Sequence, residues 1–145
     1  MLGVMTTTPR ATFERLHGGV ESGAVERLCV KHDLDLLVVH GSVVIEAPLR
    51  PPADLDVACR FRRGSAQDVI GLINDLIDLT GFDGVDLLVL NTAGVVATAR
   101  ALGPQSVPLY EAERSLFTLA QIAALTTEME TRHLRLLDLK LMAGR

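Results

Sequence analysis

Apolar residues between Thr12 and His32 recur at mostly helical spacing, with Phe13, Leu16, Val20, Val25, Leu28 and Cys29 on one face. Gly18-Gly19 and Gly23 interrupt that stretch, which predicts a helix-turn-helix or a helix that starts late. Leu34 to His40 (LDLLVVH) is short, apolar and β-branched, and Gly41 follows it, so it reads as a buried strand. Gly41 to Ala53 is a loop with room for one helical turn, limited by Pro48, Pro51 and Pro52. Asp54 to Phe61 (DLDVACRF) alternates, which puts Leu55, Val57, Cys59 and Phe61 on one face of a half-buried strand.

The pattern then returns to helical spacing. Ser65 is the expected N-cap of a helix running through Leu79, with Val69, Ile70, Ile73, Leu76 and Ile77 as its buried stripe and Gly81 as its stop. Val85 to Leu90 (VDLLVL) predicts a third strand, and Ala93 to Leu102 a short helix ended by Gly103-Pro104. Val107 to Tyr110 is a short extended piece. Glu113 to Met142 predicts a long helix, with Leu116, Leu119, Ile122, Ala123, Leu134, Leu137 and Leu141 expected to lie over the sheet. Strands alternating with helices make an α/β or α+β domain, a small sheet flanked by helices. Residues 1–11 read as a poorly ordered lead-in without the marks of a signal peptide, and residues 12–145 as a single domain.

Composition narrows the class. At 145 residues, a chain buries roughly 68–70% of its unfolded surface, enough for a core without staples. Only 3% of residues are aromatic and none is Trp, so Leu, Val, Ile and Ala must build that core. A net charge of -4 argues against a dedicated nucleic-acid binder, although Arg50, Arg60, Arg62 and Arg63 approach a local basic patch. Cys29 and Cys59 lack metal-ligand or disulfide-framework spacing and read as buried thiols of a cytoplasmic protein. No apolar run reaches the 18 residues or so of a membrane span.

Three features then fall in chain order: Gly41-Ser42 after a strand, Asp54-Leu55-Asp56 opening the next, and Asp86 in a third. In a strand, residues i and i+2 face the same way, so Asp54 and Asp56 repel unless something positive lies between them. Magnesium suits such a pair, because it takes a few carboxylates and completes its shell with substrate phosphates. Asp86 stands before Leu87-Leu88-Val89-Leu90, where a carboxylate is costly unless paired. If its strand neighbours that of Asp56, three carboxylates converge and can hold two metal ions for an in-line displacement at phosphorus. The third can also accept the proton of the nucleophile. Gly41 lets backbone N–H groups approach a phosphate, and Ser42 adds a hydroxyl donor. Each feature has a plainer reading: a turn at Gly41, a capping Asp54, a solvated Asp56 at a sheet edge. His40 is expected to end its strand with a satisfied hydrogen bond.

Gly-Ser, a spacer, Asp-x-Asp and a later strand-borne Asp resemble the signature of the DNA polymerase β-like nucleotidyltransferases. The size resembles their minimal nucleotidyltransferase (MNT) branch. The resemblance runs from about Leu34 to the end and includes Val85–Asn91 (VDLLVLN), Leu109-Tyr110-Glu111 and the closing helix with Asp138. It implies the polymerase β-like fold, with Asp54, Asp56 and Asp86 as metal ligands and catalytic carboxylates, and Gly41 and Ser42 on the triphosphate of ATP. It further implies an antitoxin that transfers AMP to a tyrosine of a HEPN-domain ribonuclease toxin. Two departures stand out. Val43-Val44-Ile45-Glu46 replaces a small-residue, arginine-containing segment, and the spacer before Asp54 is longer and rich in proline, with Arg50 as a substitute cation.

Two other functions compete. A transferase of the same chemistry acting on a small molecule such as an aminoglycoside would need a further substrate-binding domain, and little chain remains after Asn91 to build one. A non-catalytic module that blocks a partner sterically is favoured by the altered segment after Ser42 and opposed by the retention of all three aspartates. Nucleotide preference, the acceptor and self-association are open at this level.

Overall fold

The computed structural model describes residues 8–44 and 54–144. The expectations for Pro48, Arg50, Pro51 and Pro52, and for the first seven residues of the lead-in, lie outside that range.

The N-terminal stretch forms two helices, α1 (Pro9–Ser22) and α2 (Ala24–Lys31), so Pro9, Arg10 and Ala11 are already helical. Thr8 caps α1 by accepting a hydrogen bond from the Ala11 N–H at 3.1 Å. Gly18 and Gly19 pass through α1 without ending it. The break falls at Gly23, whose φ of 84° is left-handed, a conformation that costs glycine no Cβ clash.

Four strands follow, β1 (Leu34–His40), β2 (Leu55–Phe61), β3 (Val85–Val89) and β4 (Val107–Glu111), in the order β3-β2-β1-β4. Strand β1 runs antiparallel to β2 and to β4, whereas β2 and β3 are parallel. A parallel pair needs a crossover, and α3 (Val69–Thr80) supplies it. The sheet is therefore mixed, with β1 and β2 at its centre. Between them the chain turns through a short 3-10 segment, Gly41–Val44, the helical turn expected there.

Two apolar layers hold the helices on. On one face, Leu16 of α1, Val25, Leu28 and Cys29 of α2, and Leu72 and Leu76 of α3 pack with Leu37, Val57 and Phe61 of the sheet. On the other, Ala101 at the end of α4 (Val95–Ala101) and Phe117 and Ala124 of α5 (Leu116–Ala143) pack on Leu36, Val38 and Ala58. With both faces covered, β2 is buried more completely than alternation implied, and Ala58 has no exposed surface. Both cysteines are free and buried, and burial pushes each thiol up to about 12. No described helix is long and apolar enough to cross a membrane.

Three expectations change. The N-cap of α3 is Asp68, which accepts from Gly71 N–H at 3.0 Å, while Ser65 instead accepts from Gln67 N–H in the preceding turn. Its buried stripe is Leu72, Leu76 and Thr80, and Ile70 is 74% exposed. Apolar residues on nearly every face of α3 left its phase undetermined, and packing chose the i, i+4, i+8 row. In α5 the residues toward the sheet are Phe117, Ala120 and Ala124. Leu119, Ile122, Leu134, Leu137 and Leu141, expected to cover the sheet, are exposed. Past Ala124 the apolar residues all around α5 are exposed, Met129, Leu136, Leu139 and Met142 among them.

Candidate nucleotidyl-transfer site

Register builds the site. His40 at the end of β1 pairs with Asp56 of β2, and Asp56 pairs with Asp86 of β3. Directly paired residues share a face, so the three side chains form one row across neighbouring strands about 4.8 Å apart. They stand on the face covered by α4 and α5, as do Ala58 of β2 and Leu88 of β3. The row forms because β1 and β2 are antiparallel across the Gly41 turn while the α3 crossover returns β3 parallel to β2.

Gly41 begins the turn with φ at 79°, and a Cβ there would run into the Asp56 carboxylate. A glycine is needed both for the left-handed backbone and for the close approach. Ser42 follows in the same 3-10 segment; its side chain lies outside the described residues. Asp54 stands exposed just before β2. Its charge still reaches Asp56, so the expected three-carboxylate cluster is a side-by-side pair with Asp54 at its approach.

The electrostatics are unbalanced. Burial, first, and then the neighbouring charges of Asp86 and Asp54 raise the pKa of Asp56 above its ordinary 3.8. Burial lowers the pKa of His40, only partly opposed by Asp86, so the imidazole favours its neutral form. His40 does end β1 as expected, but without the expected hydrogen bond: its buried Nε2 has no partner among the described residues. A buried polar atom left unpaired is costly, and a ligand or water would relieve it. His40, Gly41, Asp56 and Asp86 line a cleft of about 480 Å³, closed by Leu87, Leu88, Ala97 and Arg100.

Among the described residues, no three His, Cys, Asp or Glu side chains gather closely enough to hold a metal by themselves. The carboxylate pair, strained by mutual repulsion and burial, fits a cation that shares its remaining ligands with a bound phosphate, which is how magnesium is usually held.

Other candidate residues have structural partners. Arg60 bonds Asp35 at 2.8 Å, and His32 bonds Asp75 at 2.6 Å. Asn91 closes the end of β2 through bonds to the N–H and carbonyl of Phe61 at 2.9 and 3.0 Å. The Glu111 carboxylate accepts from Ser115 and Phe117 N–H and so caps α5. Arg100 was missed in the sequence: it lies 14 residues beyond Asp86 on a short helix, and only tertiary packing brings it to the cleft.

No protein-family model and no curated protein sequence matches the chain. Solved structures do. A chain from the MntA–HepT toxin–antitoxin, in a form carrying two Asp→Glu changes two positions apart, superimposes with a TM-score of 0.64 at 16% identity. That match covers 83% of this chain and 97% of the other. A tri-AMPylated Shewanella oneidensis HEPN toxin in complex with its MNT antitoxin gives 0.63 at 16%, over 88% and 98% of the two chains. A toxin–antitoxin structure with AMP-PNP gives 0.63 at 17%, over 82% and 95%. At such identities the likeness concerns architecture alone: the chain shares the mixed α/β fold of these toxin–antitoxin structures.

Proposed function

We propose that this protein is a magnesium-dependent nucleotidyltransferase that moves AMP from ATP to a tyrosine of a partner HEPN ribonuclease toxin and thereby silences it. The observation that carries the reading is the row His40–Asp56–Asp86 beside the Gly41 turn, on the MNT fold. Two features of the similar structures support it: one toxin is AMPylated while bound to its MNT antitoxin, and another complex holds an ATP analogue. The paired aspartates altered in the first similar structure have the spacing of Asp54 and Asp56.

In this account Gly41 and Ser42 receive the triphosphate through backbone N–H groups and the Ser42 hydroxyl. Asp54, Asp56 and Asp86 are the residues that would hold magnesium, one ion or two. When bound, the metal neutralises phosphate charge and steadies the attacking and leaving oxygens. The acceptor hydroxyl oxygen attacks the α-phosphorus, its bond to the pyrophosphate oxygen breaks, and Asp86 takes the hydroxyl proton. Leu87, Leu88 and Ala97 keep water from one side of the cleft. The exposed apolar residues of α5, Leu119, Ile122, Leu134, Leu137 and Leu141 among them, offer a surface for holding the partner while a tyrosine enters the cleft.

A steric blocker would use the same partner surface and leave the carboxylates idle. Asp56→Asn separates the two readings. In cells whose growth is arrested by a candidate HEPN partner, the catalytic account predicts that wild type restores growth and the variant does not. Equal rescue by the variant would mean that blocking, not transfer, neutralises the toxin.

A further inference from the structure

The cleft contains an arginine to which the reaction described above gives no role. Of the described residues lining it, Asp56 and Asp86 are acidic, burial favours the neutral form of His40, and only Arg100 carries a fixed positive charge. Within Gly41–Val44, Val43 is buried and Val44 is apolar, so the described part of the turn brings no cation. The ion pairs among the described residues join Lys31 and His32 to Asp75, Arg60 to Asp35, and Arg132 and Arg135 to Glu128, so Arg100 is in none of them. It also lines a second cleft of about 380 Å³, with Gly41, Val44, Pro104, Gln105 and Leu125, which no aspartate lines. Gly41 and Arg100 are the two residues common to both clefts.

We propose that Arg100 grips the β- and γ-phosphates of the bound nucleotide, and that the second cleft receives the pyrophosphate as it leaves. This rests on the nucleotidyl-transfer reading for the identity of the ligand. A polyphosphate beside three carboxylates needs a cation beyond the metal, and a guanidinium presents its N–H groups as a fork matched to phosphate oxygens. From its position between the clefts, that fork reaches phosphates extending away from Asp56 and leaves the α-phosphate to the aspartates. Arg100 also lies in the last turn of α4, where a cation favours the helix dipole. A purely structural role of that kind predicts no effect on phosphate binding.

Calorimetry on the full chain tests this, with inorganic tripolyphosphate, ATP with magnesium, and AMP as probes. The proteins are wild type, Arg100→Ala, Arg100→Lys, and Arg114→Ala as a charge control. Arg100→Ala is expected to weaken tripolyphosphate and ATP by about tenfold or more while AMP changes little. Arg100→Lys should fall between, because it keeps the charge without the fork. Arg114→Ala should match wild type. Unchanged tripolyphosphate and ATP binding in a folded Arg100→Ala would overturn the proposal, as would equal losses with Arg114→Ala. Tripolyphosphate bound through Arg100 without any ATP binding would sink the nucleotide reading and leave the anion site standing. A wild type that binds neither probe would overturn both.

Discussion

Asp56 is partly buried, with the carboxylates of Asp86 on the next strand and Asp54 two residues before it, and each of these disfavours its charge. A carboxyl whose pKa rises on folding stabilises the fold while protonated. That contribution is fully present below the ordinary value of 3.8 and is lost as pH climbs through the raised value. At neutral pH the ionised Asp56 therefore costs stability, and Asp56→Asn should raise Tm by a few degrees while lowering AMP transfer by about a hundredfold or more. Below the ordinary value the difference in Tm should vanish. Added magnesium should raise the Tm of wild type more than that of the variant. Thermal melts across pH, with and without magnesium, check each point, and a variant less stable at neutral pH would contradict the account. The aspartates were legible in the sequence because Asp-x-Asp on a strand and a carboxylate against an apolar run are both costly without a purpose. Arg100 was not, since nothing local marks an arginine on a short helix as facing a cleft. His40 was visible only as a strand end, because an unpaired nitrogen is a property of packing.

The strands announced themselves through short apolar runs bounded by turns, and β1 spans the residues that the pattern marked out. Helix phase was harder. In α3 the residues Val69, Ile70, Leu72, Ile73, Leu76, Ile77 and Leu79 leave few polar positions to define an outer face. Its start is also ambiguous, with Ser65 and Asp68 both acceptable caps. The hydrogen bond to Gly71 N–H decides for Asp68, while Gln67 at φ 52° shows that the chain is not yet helical there. Asp68→Ala should accordingly cost about 1 kcal/mol of stability. Ser65→Ala should cost distinctly less, because it gives up only a bond within an exposed turn. Denaturant unfolding of the two variants measures the difference, and the opposite order would place the helix start where the sequence pattern first put it. The apolar face of α5 misled for a related reason. Apolar residues occur all around this helix, and only Ala120 and Ala124, with Phe117, fit against the sheet.

At the scale of the whole molecule, the sheet divides the work. One face, under α1, α2 and α3, is a closed apolar layer that fixes strand order, and the other carries the row of reactive side chains below α4 and α5. Helix α5 packs on that same face through Phe117, Ala120 and Ala124. Labelling with α-phosphate-labelled ATP tests the central claim most directly, using magnesium, this protein and a lysate of its own host. The Asp54→Asn, Asp56→Asn double variant serves as control. The account predicts a labelled protein band, in the size range of a small HEPN protein, with wild type and none with the variant. Absence of label with wild type, or equal label with both proteins, would contradict it.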